Sequence, residues 1–259
     1  MPLSDRDLRD RLAATTRFDR MVHVARCAST QELAVADIGA DAGGPDGRDA
    51  VFWADHQTAG RGRQQRVWHD EPGADLAVTF RVTAQLPTPL ALPVVVPVLV
   101  HEVLASRLGA RAEALRVKWP NDVLLGERKL AGVLIDVATS RPMQYAIGVG
   151  INLNGMSRPP ELAATATSLK LATGRDHDRT AVLLDLAMAL DGALAQLVRG
   201  DTAPFAARFR DALGLMGRRV VVRAADAAAG RLVALDLDAL RLDDGRAFPL
   251  GQVRELRAE

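Results

Sequence analysis

Scarcity sets the first limits on this chain of 259 residues. Its one cysteine, Cys27, excludes an intramolecular disulfide and a cysteine-built metal site. Three tryptophans, one tyrosine and six phenylalanines are too few to line a stacking platform for a nucleic-acid strand. A formal net charge of +1 excludes a general polyanion binder, so any affinity for anions has to come from a local cluster. The longest apolar stretch, LALPVVVPVLVHEVLASRL at 90–108, is interrupted by two prolines, a histidine, a glutamate and an arginine, which argues against a membrane span. The amino terminus, MPLSDRDLRDRL, lacks the apolar run of a signal peptide, so a soluble cytoplasmic protein is expected. Lysine is scarce as well. Of 33 basic residues only Lys118, Lys129 and Lys170 are lysines, and the first two lie close together. A retained lysine marks a place where a compact ammonium suits the task better than a planar fork.

Two phosphate-binding signatures are also missing. No G-x-x-x-x-G-K-[ST] run exists, and Gly148-Val149-Gly150 begins a dinucleotide fingerprint without its third glycine. What is present supports one large domain, 1–213, and a small appendage, 214–259. Hydrophobic residues at 48% suffice for a core. Periodicity and capping residues predict helices over 4–14, 29–40, 90–108, 180–198 and 203–213, with Pro93 and Pro97 as kink points. Strands are expected over 20–28, 50–56, 75–82 and 143–155, with a loop at 41–47. A strand–turn–strand–turn–strand run is expected over 114–138. Beyond Gly214, short alternating segments separated by Asp, Gly and Ala predict a small β-barrel or meander that docks on the larger unit.

Three stretches carry candidate chemistry. The segment QTAGRGRQQRVWHD (57–70) holds Arg61, Arg63 and Arg66 with little to bury. Its glycines permit close backbone approach and its arginines offer bidentate bonds to phosphate or carboxylate, so it reads as a mobile element that orders over an anion; a solvated loop is the bland alternative. The corner Lys118-Trp119-Pro120-Asn121-Asp122, followed by Arg128-Lys129-Leu130-Ala131-Gly132, reads as a stiff turn between strands. There Asp122 and Lys129 are able to face one cleft, or the tryptophan simply packs beneath a hairpin. Gly148-Val149-Gly150-Ile151-Asn152 leaves space on one face of a strand. Its asparagine donates and accepts at once. His56 is structural or shapes a substrate.

In this order and spacing, Ser29-Thr30, Gln57, GRGR at 60–63, Trp68, KWPND at 118–122, RKLAG at 128–132 and GVGIN at 148–152 resemble the biotin protein ligases. The resemblance runs from about residue 20 to the carboxyl terminus, and KWPND with a downstream KLAG is its most specific part. It implies an α+β catalytic domain with a mixed sheet flanked by helices and a small SH3-like β-barrel. The implied activity is formation of biotinyl-5′-AMP from biotin and ATP with Mg2+, then transfer to one lysine of a biotin carboxyl carrier domain, such as that of acetyl-CoA carboxylase.

By resemblance, Ser29 and Thr30 bond the biotin ureido ring, and position 31, usually Asn in the family, is Gln31 here. Gln57, Gly60 and Arg61 belong to the biotin site, and Arg61, Arg63 and Arg66 to the clamp on the phosphates. Trp68 packs near the adenine. Lys129 contacts both the activated carboxyl group and the phosphate. Gly132 and Gly150 line the biotin channel, and Asn152 reads adenine. Asn121 and Asp122 orient ligands and the incoming amine. No metal-ligand motif is present, so Mg2+ is expected through the ATP phosphates. A lipoate–protein ligase and an RG-loop nucleotide- or RNA-binding module are the alternatives. The family includes monomers and dimers, so either is expected here. Some of its members carry a winged helix-turn-helix, but fewer than twenty residues precede the first matched strand, so no DNA partner is expected. In a gel-shift titration at physiological salt the chain is expected to show no sequence-dependent binding at nanomolar concentration; a sequence-dependent shift there contradicts this.

Overall fold

Alternation along the strands decides what each face of the main sheet packs against. The computed structural model describes residues 2–40, 49–140, 143–157 and 159–259; the loop expected at 41–47 falls outside the described residues, apart from the ends that flank it. In chain order the elements are α1 (Asp5–Thr15), β1 (Arg20–Val24), α2 (Thr30–Ala40), β2 (Ala50–Ala54), β3 (Leu76–Thr83), α3 (Leu92–Leu108), β4 (Leu115–Lys118), β5 (Asp122–Leu125), β6 (Arg128–Ser140) and β7 (Met143–Ile151). Short helices α4 (Pro160–Ala163) and α5 (Leu169–Thr173) lead to α6 (Arg179–Val198) and α7 (Ala203–Leu213). The chain continues through β8 (Arg219–Arg223), β9 (Ala227–Leu235), β10 (Ala239–Leu242), β11 (Ala247–Pro249) and β12 (Glu255–Ala258).

The fold is α+β, as expected. Seven strands form a mixed sheet in the order β1-β2-β3-β7-β6-β5-β4, in which only β1 and β2 run parallel. Five more form an antiparallel sheet, β11-β10-β9-β8-β12. On β3, Leu76, Val78, Phe80 and Val82 point to one side with Tyr145, Ile147 and Val149 of β7, and all are buried in the main core. That side is covered by α3 and α6. These two helices are long and apolar enough to cross a membrane, as Leu92–Ala114 and Arg179–Val198, yet their apolar surface is spent on this core. Pro93 falls in the first turn of α3, where a missing N–H costs nothing, and Pro97 lies inside the helix.

The opposite side of the sheet is covered differently. Among the described helices α2 packs there, with Ala34 and Ile38 against Ala50, Phe52 and Ala146. The strand expected to reach residue 28 ends at Val24, and the one expected to reach 155 ends at Ile151, because Cys27 and Asn152 turn into loops that bridge to other segments. Trp119, at the corner of β4 and β5, donates its indole N–H to the Val253 carbonyl at 2.7 Å and packs on Phe209. The tryptophan is buried at the corner, as the packed-tryptophan alternative has it, and it also ties the segment before β12 to the first sheet.

One ion pair anchors α2. The fully buried Arg81 of β3 and the half-exposed Arg20 of β1 both bond the Asp37 carboxylate. Burial by itself raises the Asp37 carboxyl, but the hydrogen bonds from Arg20 and Arg81 outweigh it and hold it below the ordinary range. The stabilisation is therefore complete above the ordinary carboxylate range and is lost as pH falls through the depressed value. Asp37→Ala is expected to lower unfolding free energy by at least about 2 kcal/mol in urea, because it strips a buried guanidinium of a partner. It should also flatten the acid limb of stability against pH. An unchanged urea midpoint contradicts this anchoring.

Candidate functional site

Because α2 covers only part of its face, a row of small residues is left across the middle of the sheet. Register places Ala54 beside Ala77, Ala77 beside Gly150, Gly150 beside Gly132, and Gly132 beside Asp122. The next row holds Phe52, Thr79, Gly148 and Leu134. The floor thus formed is a trough with a polar knot at one side and a charged pair at its end.

The polar knot is built at the start of α2. Ser29 caps the helix, its hydroxyl oxygen accepting from the Gln31 N–H at 3.2 Å. The Thr30 N–H donates to the Gln57 Oε1 at 2.8 Å, and the Thr30 hydroxyl lies 3.1 Å from the same oxygen. Thr79 reaches up from β3 to Thr30 Oγ1 at 2.9 Å and to Gln31 Oε1 at 3.2 Å. Gln31 Nε2 donates to the Ala146 carbonyl at 2.9 Å and to Asp136 at 3.1 Å. All five of Ser29, Thr30, Gln31, Gln57 and Thr79 are buried. Sequence reading identified four of these positions but missed Thr79 and Asp136, which only cross-strand register brings to the knot.

At the other end, Lys129 Nζ lies 2.6 Å from Asp122 Oδ1, so the two do face one cleft. A register shift between Val123 and Leu124 bulges β6 at Leu130 and turns Lys129 onto this face. The Lys129 backbone is clamped on both sides: its N–H donates to Thr165, and its carbonyl accepts from Thr167 and from the Asn152 amide. Asn152 is thus buried and holds the lysine strand in place while standing at the end of β7. Asn121 extends the β5 ladder, exchanging bonds with Val133, and its side-chain oxygen lies 3.5 Å from Arg63 Nη1. The other two lysines lie elsewhere: Lys118 is exposed and Lys170 pairs with Asp176.

The basic segment, expected as a mobile element that orders over an anion, has a defined form in the structure. It is a small hairpin, closed by Trp68 N–H to Gly60 O at 2.8 Å and Gly62 N–H to Arg66 O at 2.8 Å. Its tip is one 3-10 turn in which Gln64 and Gln65 have positive φ. The reason is Trp68, the one large apolar side chain of the segment that tucks in. Its ring lies over Gly150 so closely that a Cβ there would sit 2.5 Å from the indole, and Lys129 Nζ is 5.6 Å from its centroid. The resemblance puts this ring near the adenine; the structure sets it on the trough floor between Gly132 and Gly150, with its N–H lacking a hydrogen-bond partner among the described residues. Arg61, Arg63 and Arg66 are all exposed on the hairpin. Asp70 staples its base, accepting from the Gln57 N–H at 3.2 Å and facing His56 Nδ1 at 3.0 Å. This gives His56 its structural role. The Cys27 thiol beside Gln57 is pushed up by burial and then by Asp70 and Glu32, so it is a poor nucleophile.

Similarity to known proteins agrees with this geometry. Residues 47–152 match the model of the biotin/lipoate A/B protein ligase family. A biotin–[acetyl-CoA-carboxylase] ligase of Mycobacterium tuberculosis is 32% identical over 227 residues, which are 85% of this chain and 81% of that one. The chain belongs to the biotin protein ligase family. A bifunctional ligase/repressor BirA of Bacillus spizizenii is 32% identical over 188 residues, and there the chain spans 55% of the relative's length. A solved biotin protein ligase from Aquifex aeolicus, in complex with biotin and ATP, superposes with a TM-score of 0.77 at 27% identity over 93% of this chain and 100% of that one.

Among the described residues no three carboxylates, imidazoles or thiols converge as a metal cage.

The contact between Gly150 and Trp68 makes the hairpin and trough one unit. Gly150→Ala is expected to lever the indole off the floor and speed hydrogen exchange at the Gly62 and Trp68 amides. Unchanged exchange at both amides contradicts that coupling.

Proposed function

We propose that this chain activates biotin with ATP to biotinyl-5′-AMP and transfers the biotinyl group to a lysine of a biotin carboxyl carrier domain, such as that of acetyl-CoA carboxylase. The observation that carries this reading is the row of small residues that joins a buried polar knot to the Lys129–Asp122 pair. A cyclic urea at the knot meets three kinds of group at once. Thr30 offers lone pairs to a ring N–H. The Ser29 hydroxyl hydrogen and the Gln57 Nε2 remain as donors for a ring carbonyl. An apolar chain laid over Ala77, Gly150 and Gly132 then brings a terminal carboxylate to Lys129. A lipoyl ring has no N–H and would strand these buried groups, an error costing about 1–3 kcal/mol for each one left unpaired.

In the first step the carboxylate oxygen attacks the α-phosphorus of ATP, an O–P bond forms, and pyrophosphate leaves. Both reactants are anionic. Lys129 from the sheet and Arg61, Arg63 and Arg66 from the hairpin place positive charge where they meet. Support for Arg63 is its Nη1 lying 3.5 Å from the side-chain oxygen of Asn121, the residue before Asp122. Trp68 moves with the hairpin, so admitting the ligand displaces the ring from the floor and closure returns an apolar lid over a water-sensitive anhydride. In the second step a neutral lysine amine of the acceptor attacks the acyl carbon, the C–N bond forms, AMP leaves, and the amine proton is taken up. Asp122 is the carboxylate placed to receive it, and it is freed for this when Lys129 turns to the phosphate.

The direct test is incubation with biotin, ATP, Mg2+ and a carrier domain, read by mass for one added biotinyl group; an unmodified acceptor and no pyrophosphate release contradict the proposal. Lys129→Ala is expected to slow pyrophosphate release by about 100-fold or more while leaving the thermal melt in place. A variant with near-normal release removes Lys129 from this role. Arg63→Gly is expected to leak biotinyl-AMP and label lysines of a bystander protein; labelling confined to the carrier domain contradicts the clamp.

A further inference from the structure

The polar knot carries an imbalance that assigns a role to Gln31. Four oxygens stand in a chain: Gln31 Oε1, Thr79 Oγ1, Thr30 Oγ1 and Gln57 Oε1, separated by 3.2, 2.9 and 3.1 Å. The orientation of both amides is fixed by backbone groups that have only one hydrogen-bonding sense. Gln31 must point its nitrogen at the Ala146 carbonyl, which only accepts, and Gln57 must point its oxygen at the Thr30 N–H, which only donates. Both terminal oxygens of the chain are therefore acceptors. The two threonine hydroxyls between them supply two hydrogens for three oxygen–oxygen contacts. Whichever way the hydroxyls turn, one close contact is left without a proton.

We infer that Gln31 is a positioning and specificity-determining residue that keeps this chain one hydrogen short, so that the site selects a ligand ring bearing an N–H at Thr30 and Thr79. This rests on the biotin reading above and deepens it. Thr30 cannot turn its own hydrogen outward without leaving a second contact bare, so it meets the ligand as an acceptor. Gln31 acts through Thr79 and need not touch the ligand. Its amide is pinned by Asp136 and Ala146 on one side. On the other it occupies space that exists only because residue 148 is glycine: a Cβ there would sit 2.5 Å from Gln31 Oε1. Removing that oxygen leaves Thr79 to donate to Thr30 and Thr30 to donate to Gln57. The chain is then complete without a ligand, and its demand for an external N–H is gone.

The test is a cycle of Gln31→Met, Thr79→Val and the double variant, each close to the original shape without its polar group. Steady-state pyrophosphate release is measured with biotin and with the analogue in which one ring N–H is replaced by oxygen. Each single variant is expected to raise KM for biotin about tenfold, from the loss of one hydrogen bond to the ligand. The double variant should also rise about tenfold rather than a hundredfold, because both changes cut the same chain. KM for ATP and the rate at saturating biotin should move less than twofold, and the preference for biotin over the oxygen analogue should shrink in every variant. Additive single effects, or an unchanged preference with biotin KM unmoved, overturn the inference while leaving the ligase reading intact. Failure of the unsubstituted protein to consume biotin overturns the reading itself, and this inference with it. If one single variant does not give a cooperative melt, the other alone decides through the analogue preference.

Discussion

The Lys129–Asp122 contact at 2.6 Å is the constraint around which the site is arranged. A lone ammonium over an apolar floor would be costly, and a lone carboxylate there would oppose an anionic ligand. Paired, the two neutralise each other in a half-buried cleft, and on the proposed reading they separate when the anionic ligands arrive. Much of the nearby backbone serves this pair. The bulge in β6 turns the lysine inward, Asn152 and the segment 165–167 clamp its peptide groups, and Gly132 leaves room above the strand for its side chain.

The sheet then converts position into selection. A two-residue repeat along each strand puts large apolar groups into the core shared with α3 and α6, and small or polar ones onto the other face. Helix α2 covers part of that face and supplies its own first turn to the knot. What is left between knot and lysine pair is a strip of alanine and glycine from which no side chain of its own rises, and on the proposed reading it takes the ligand's extended chain. The hairpin adds what the sheet cannot, three exposed guanidiniums and one indole lid on a two-stranded stalk. On the proposed reading, charge for the chemistry and cover against water come from this one short element. Asp70 and the Gln57 peptide tie its base directly to the polar knot.

Much of this was readable in the chain. Helix ends followed caps and prolines, strands followed alternation, and the motifs KWPND, RKLAG and GVGIN meet around one cleft. Other parts depended on register, which a sequence does not print. Thr79 and Asp136 look like ordinary strand residues until β3, β7 and β6 are laid side by side. Gln31 stands out in the sequence as a departure from the family's asparagine, but the role proposed for it emerges only from the paired amides and the missing Cβ at Gly148. That the basic segment takes a hairpin form with Trp68 over Gly150 is not legible in its sequence, because the contact depends on where β7 and β6 lie beneath it. The sequence likewise does not show that the Asn152 amide donates to the Lys129 carbonyl.

The most direct measurement is a crystal structure of this protein with biotin. The account predicts the ring seated at Thr30, Thr79 and Gln57, the chain running over Gly150 and Gly132, and the carboxylate within hydrogen-bonding distance of Lys129 Nζ, with the Trp68 indole moved from the floor. Biotin bound in the reverse sense, or in the cleft of about 250 Å3 between Trp119, Leu134 and Val253, would contradict it.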